Sequence, residues 1–324
     1  MASTTTIAAQ AQSLNRHAIT YNKDILQVMR AGLECERMFT PRACDNTYSA
    51  VNAQAGELIQ AYQSKFTPKS SVGFDAIDWK LRKIKIDMIF TADDLEKYFD
   101  SWMVEWHEIG KDPVDWSFYR YLYDTVFTPK LLEEMNHNAM KGEYQAPADG
   151  VAGLSINSLD GYIINFSNGV DNGDIAEIVT GAIGANDAVQ KIETFCDGLP
   201  ELYRDLSGRI YCSHTTARHY ARDYRAQFGT GNGVAGNENT GLSVDYSNKR
   251  LEPLHCLSES NGLIFVPDTI ATLNWGTRRG FPTMPQMRWE PFERSVKGMC
   301  EFYRFYGWEF NEEVFINDQF TPAV

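Results

Sequence analysis

Asn186 to Gly229, NDAVQKIETFCDGLPELYRDLSGRIYCSHTTARHYARDYRAQFG, reads as helix, short buried strand and capped helix. Asn186 and Asp187 supply an N-cap and an acidic first turn. Val189, Ile192, Phe195 and Cys196 then recur at helical spacing with one buried face. Gly198 is expected to end that helix in the left-handed conformation, and Pro200 suits the first position of another turn. Leu199, Leu202 and Tyr203 extend the apolar face. Ile210-Tyr211-Cys212 has the character of a short strand. Ser213 and Thr215 offer oxygens to cap the next helix, whose stripe is Ala217, Tyr220, Ala221, Tyr224 and Phe228, and Gly229 stops it.

The totals around this stretch are those of a globular chain. At 324 residues, with 43% hydrophobic and 23% charged residues, it can bury one large or two medium cores. A net charge of −13 argues against a nucleic-acid reader with a basic face. It is compatible with a protein that encloses nucleic acid without adhering to it, and makes self-association salt-dependent. The six cysteines, Cys35, Cys44, Cys196, Cys212, Cys256 and Cys300, form no C-x-x-C and read as reduced, mostly buried thiols. No apolar run reaches the length of a membrane span, and the N-terminus lacks the pattern of a secretory leader.

Residues 1 to about 20 are rich in Ala, Ser, Thr and Gln and read as an arm without a fold of its own. Asn22 then caps a helix carrying Ile25, Val28, Met29 and Leu33, ending near Met38. From Asn46 to Phe90 the character is extended. ELIQAYQSKF and WKLRKIKIDMIF are read as two strands around the breaker-rich tip TPKSSVGFDAID, a projecting hairpin. In the second strand Ile84, Ile86, Met88 and Phe90 alternate with Lys83, Lys85, Asp87 and Ile89, so one face is expected to be buried. Thr91-Ala-Asp-Asp opens a helix carrying Leu95, Phe99, Trp102, Met103 and Trp106. Gly110 and Pro113 interrupt before Trp116, Tyr119, Leu122, Tyr123 and Val126 resume the pattern, and Thr128-Pro129 starts a third helical piece running to Gly142. Residues 143 to 185 read as loops with a strand at Gly161 to Phe166. Strands follow at Leu242 to Tyr246, Leu251 to Cys256 and Gly262 to Pro267, and Met299 to Asn317 is a strand segment broken at Gly307.

The sequence LPELYRDLSGRIYCS between two helices, the passage IFVPDTIATLNWG and the closing MCEFYRFYGWEFNEEVFIN together resemble the major capsid proteins of tailed bacteriophages, the Hong Kong 97 fold, which encapsulins share. The resemblance spans roughly residues 75 to 317 by the order of segments. It implies an α+β chain. Residues 1–45 form the N-terminal arm and helix and 46–90 the extended loop. Residues 91–180 and 285–324 form a peripheral domain with a broken spine helix, and 181–284 an α/β apical domain. It further implies a structural, non-enzymatic protein that assembles through pentamers and hexamers into a virion shell around double-stranded DNA. Assembly would occur in the host cytoplasm, with portal, scaffolding and decoration proteins as partners and without cofactor, metal or membrane. The chain opens on Met1 with no helical, charged segment before the arm, so an untrimmed N-terminus and a separate scaffolding protein, or none, are expected. An encapsulin-like compartment and a soluble α/β enzyme are the alternatives.

Other motifs weigh against enzymatic chemistry. Gly231-Asn-Gly-Val-Ala-Gly236 is a G-x-G-x-x-G, but it follows a helix where a dinucleotide site needs a preceding strand. Cys212, His214, His219, His255 and Cys256 lack zinc-ligand spacing. The basic run Lys80, Arg82, Lys83 and Lys85 stands out in so acidic a chain. It is expected to meet an acidic face of a neighbouring subunit, with Asp93, Asp94, Glu96 and Asp100 as candidates, or else to protect a strand edge.

Overall fold

A computed structural model describes residues 32–55, 59–69, 72–91, 93–94, 97, 100, 127–229, 242–244, 247–258, 260–268, 272–279, 286–290 and 295–320. The arm, residues 22–31 of the expected helix from Asn22, the expected spine at 95–126 apart from Lys97 and Asp100, and the 231–236 motif fall outside these residues.

A short helix α1 (Glu34–Met38) leads into β1 (Thr40–Cys44), and β2 (Thr47–Ala55) pairs with β3 (Val72–Lys80) as an antiparallel hairpin. After β4 (Arg82–Thr91) come α2 (Thr128–Lys141), a 3-10 turn at Ser155–Ser158, α3 (Tyr162–Asp171) and β5 (Glu177–Ile178). The stretch that opened the sequence reading becomes α4 (Ala188–Gly198), α5 (Glu201–Arg204), β6 (Gly208–Ser213) and α6 (His214–Phe228). The chain continues through β7 (Leu242–Ser243), β8 (Lys249–Leu254), β9 (Ile264–Pro267), β10 (Leu273–Arg278), β11 (Gln286–Glu290), β12 (Ser295–Trp308) and β13 (Phe315–Asn317).

Two sheets organise the body. One is six-stranded, in the order β5-β13-β9-β6-β8-β7. Its period-two alternation feeds two cores, because both faces are covered. Ile210, Cys212, Leu251, Phe265 and Phe315 pack with Val189, Ile192, Phe195, Tyr220 and Tyr224 of α4 and α6. Tyr211, Leu254, Ile264 and Ile316 point the other way and join a larger core with Met135, Met140, Tyr162 and Phe166 of α2 and α3. The second sheet is built on β12. β4 pairs with its first ten residues, β11 with its first five and β10 with its last four, and β1 lies parallel to β10.

The helix-strand-helix unit forms as expected, with different local devices. Ser213 Oγ accepts from Thr216 N–H at 3.1 Å and caps α6, while Thr215 is exposed and makes no cap. Gly229 ends α6 with φ +76°, the region that favours glycine. Asp187 turns its carboxylate to Gly184 N–H (2.7 Å) instead of capping α4. The cap arrives from across the core: Asp223 of α6, 4% exposed, accepts from Val189 N–H at 2.9 Å and from Gln227 Nε2 at 2.9 Å. Gly198 has no positive φ. The chain leaves α4 through extended Leu199, and the glycine admits Ile178, whose Cγ2 would lie 2.4 Å from an added Cβ.

Three other expectations change. Gly161–Phe166 begins a helix, not a strand, with Tyr162, Ile163, Phe166 and Gly169 buried at helical spacing. β12 runs unbroken through Gly307. The hairpin's strands are TYSAVNAQA and VGFDAIDWK, so residues 59–66, expected to be strand, belong to its tip, and VGFDAID, expected to be tip, is strand. The alternation expected in β4 holds: Ile84, Ile86, Met88 and Phe90 are more buried than Lys83, Lys85, Asp87 and Ile89.

Candidate assembly interface

The hairpin carries the most exposed of the large apolar side chains among the described residues. Ile59, Tyr62 and Phe66 are 89%, 96% and 95% exposed. Polar contacts inside the tip hold them outward. Gln60 Nε2 donates to Thr67 O at 2.7 Å, Lys69 Nζ to Ile59 O at 2.9 Å, and Gln63 Nε2 to Thr67 Oγ1. Such a cluster leaves apolar surface in water at roughly 25 cal/mol per Å², a cost that a partner surface would remove.

The root of the hairpin is fixed as firmly as the tip is unsupported. Trp79 Nε1 donates to Trp308 O at 2.8 Å, and the two rings meet edge to face with centroids 4.5 Å apart. Gly307 makes this docking possible, since a Cβ there would lie 2.4 Å from the Trp79 ring. On the other strand Tyr48 stacks on Phe305 at 5.5 Å, and Glu309 receives both Arg42, as an ion pair, and Asn274 Nδ2 at 3.5 Å. Asp78, Trp79, Arg82, Asp160 and Tyr306 line a cleft of about 170 Å³ beneath this root.

The basic run is largely partnered within the chain. Arg82 pairs with Asp160 at 3.1 Å and lies over the Tyr144 ring at 3.6 Å. Lys83 pairs with Glu301 at 2.7 Å across β4 and β12, and Lys85 with Asp87 at 2.6 Å. Hydrogen bonds to these carboxylates raise both lysine pKa values. Lys80 is exposed at the end of β3. Asp94 accepts from the Thr91 hydroxyl at 2.7 Å, which holds its carboxyl below the usual range and makes it a capping residue. Asp93 and Asp100 are exposed, and Glu96 lies outside the described residues.

The histidines and cysteines considered for a metal are dispersed in role. Cys212 is fully buried, and burial pushes its thiol up to about 12. His214 begins α6 with its ring 4.2 Å from that of His255. Burial first, and then His255 and Arg218, lower its pKa against the pull of Glu34. Among the described residues no group of three or more His, Cys, Asp or Glu side chains is placed to hold a metal ion. None of their helices is long and apolar enough to cross a membrane.

No family model and no curated protein matches the sequence. Solved structures do. A chain of the satellite phage P4 procapsid that includes the size determination (Sid) protein superposes with a TM-score of 0.60 at 8% identity, over 92% of this chain and 90% of that one. A chain of the holo-SrpI encapsulin complex from Synechococcus elongatus PCC 7942 gives 0.49 at 8% identity, over 89% and 88%. The capsid of a native GTA particle gives 0.48 at 11% identity, over 88% and 89%.

Proposed function

We propose that this chain, which has the Hong Kong 97-type capsid fold, is a shell subunit, the major capsid protein of a tailed bacteriophage enclosing double-stranded DNA. The observation that carries the proposal is the hairpin: a rigid root ending in a tip with Ile59, Tyr62 and Phe66 turned outward. A solitary globule gains nothing from such a finger, whereas a heterologous contact repeated around rings of five and six covers it. The division into arm (1–45), extended loop (46–90), peripheral (91–180, 285–324) and apical (181–284) regions is part of this proposal. So is a contact between Lys80, Arg82, Lys83 and Lys85 and a neighbour's Asp93, Asp94, Glu96 and Asp100. In-chain partners compete for three of these cations, so the charged contact adjusts an association that the apolar tip drives. Portal, scaffolding and decoration proteins would be its partners in the virion, with assembly in the host cytoplasm.

Size-exclusion chromatography and negative-stain microscopy of the purified chain test the proposal. Shells, or rings of five and six, are expected, and a monomer persisting at high concentration overturns it. Nucleic acid protected from nuclease inside shells recovered from infected cells supports a genome container. Shells that enclose only a protein cargo would make it a nanocompartment instead.

A further inference from the structure

One cluster of chemistry-bearing side chains has no part in the interface. α1, the last turn before the body, sits in the core with Cys35 1% exposed. Cys256, in the 3-10 turn His255–Leu257, is 4% exposed. Their sulfurs lie 3.5 Å apart although 221 positions separate them in sequence. This is a thiol–thiol contact in which one S–H points at the other sulfur. A bonded pair needs about 2.05 Å, so the sulfurs must close by roughly 1.5 Å. The surroundings fix both backbones. Glu34 N–H donates to Asn136 Oδ1 at 2.9 Å, and Asn136 Nδ2 donates to Gly32 O at 2.9 Å. Glu34 also reaches across the seam, its carboxylate accepting from Cys256 N–H at 3.2 Å. Glu36 of the same turn pairs with Arg304 at 2.7 Å. A pair held this way has little freedom to lose on bonding.

We propose that Cys35 and Cys256 form a redox-controlled clamp: a dithiol in reducing surroundings that becomes an intrachain disulfide on exposure to a peroxide-class oxidant. One sulfur, as thiolate, breaks the peroxide O–O bond and takes up one oxygen as sulfenic acid, while the other oxygen leaves as water. The second thiol attacks that sulfur, the S–S bond forms, and the sulfenic oxygen leaves as water. Two thiols and one peroxide give one disulfide and two waters. His255 is exposed and Glu34 half-buried beside the buried sulfurs, so a small oxidant has a short path. The pairing with Cys35, together with burial, holds the Cys256 thiol protonated far above the ordinary range. Because the thiolate is the attacking form, oxidation is faster as pH rises. The bond would tether the N-terminal segment to the body at α1. If the chain is a shell subunit, it would do so once the particle leaves a reducing cell; the clamp itself does not depend on that reading.

Peptide mapping after peroxide treatment of the full, folded chain at pH 8 decides the matter. Trypsin releases Cys35 in peptide 31–37 and Cys256 in peptide 251–278. The expected product is these two peptides joined, two hydrogens lighter than their sum and separated by reductant, with Tm raised by several degrees. Cys35→Ser and Cys256→Ser should each abolish both effects. Folded wild-type protein that keeps both thiols while the denatured chain is oxidised overturns the proposal. So does a bond that joins either cysteine to Cys44, Cys196, Cys212 or Cys300. Neither result needs the variants to fold, and whether shells form is read separately by microscopy.

Discussion

Helices α4 and α6 and the hairpin use the same kinds of residue to opposite ends. In the first, Phe195, Tyr220 and Ile192 are fully enclosed, and even the Val189 amide in the first turn of α4 finds a cap in Asp223. In the second, Ile59, Tyr62 and Phe66 face water although Gln60, Gln63 and Lys69 hold the loop that presents them in shape. One region closes on itself and the other leaves large apolar side chains uncovered by its own chain. Stability and assembly should therefore be separable by mutation, and each experiment below asks whether they are.

The largest effect is expected at the tip. Ile59→Ser, Tyr62→Ser and Phe66→Ser together should abolish shells in negative stain yet leave the chemical stability of the subunit within about 0.5 kcal/mol, as for exposed sites generally. Shells that form normally would break the contrast. In the α4–β6–α6 unit, Asp223→Ala should cost about 2–3 kcal/mol in a urea titration, since it leaves the Val189 N–H buried without its acceptor and uncaps a helix. A loss below about 0.5 kcal/mol would mean that water replaces the cap. Gly307→Ala acts between the two regions. The new methyl collides with Trp79 at the hairpin root and should cost about 1–3 kcal/mol, with malformed shells even where the subunit still folds.

The α4–β6–α6 unit was the more legible part of the sequence. Helical spacing and the Ser213 cap lie within a few residues of each other, and local signals carry them. What escaped depends on distant chain. Asp223 caps α4 from 34 positions away, and nothing between Asn186 and Ala188 announces it. Gly161–Phe166 is an apolar run too short for its period to separate strand from helix. The hairpin was misplaced because VGFDAIDWK mixes Gly and two Asp into a strand whose pairing with TYSAVNAQA is set by register. The breaker-like composition described its exposure, not its conformation. The basic run was visible as charge, but its partners Asp160 and Glu301 stand 78 and 218 positions further along the chain. Gly307 looked like a break because a glycine that makes room for Trp79 is indistinguishable in sequence from one that ends a strand.

A smaller, pH-dependent effect is expected where the C-terminal turn meets Thr180 and Gly181. Burial raises the Asp318 carboxyl, but hydrogen bonds from Thr180 N–H, the Gln319 side chain, Gly181 N–H and the Thr180 hydroxyl outweigh it and hold the group below its ordinary value of 3.8. The folded state thus binds this proton less readily than the unfolded chain. The stabilisation is complete above the unfolded value and is lost as pH falls through the folded one. Asp318→Asn should flatten that part of the stability profile below about pH 4. An unchanged slope would place the acid sensitivity in other carboxylates.

The mildest test falls on the charged face of β4. Lys83→Glu with Lys85→Glu sets like charges against Glu301 and Asp87, yet all four groups are well exposed, and exposed pairs contribute little to folding. Thermal melts should barely move. In assembly, a neighbour's carboxylates must first displace the in-chain partners, so the gain from the contact is only the difference between two similar pairings. Reversing both lysines should raise the subunit concentration needed for shells by about two- to fivefold at low salt, with the effect fading as salt screens it. A loss of assembly as complete as that of the tip variant would make charge, not the apolar finger, the driving contact. No change at any ionic strength would confine these lysines to protecting their own strand edge.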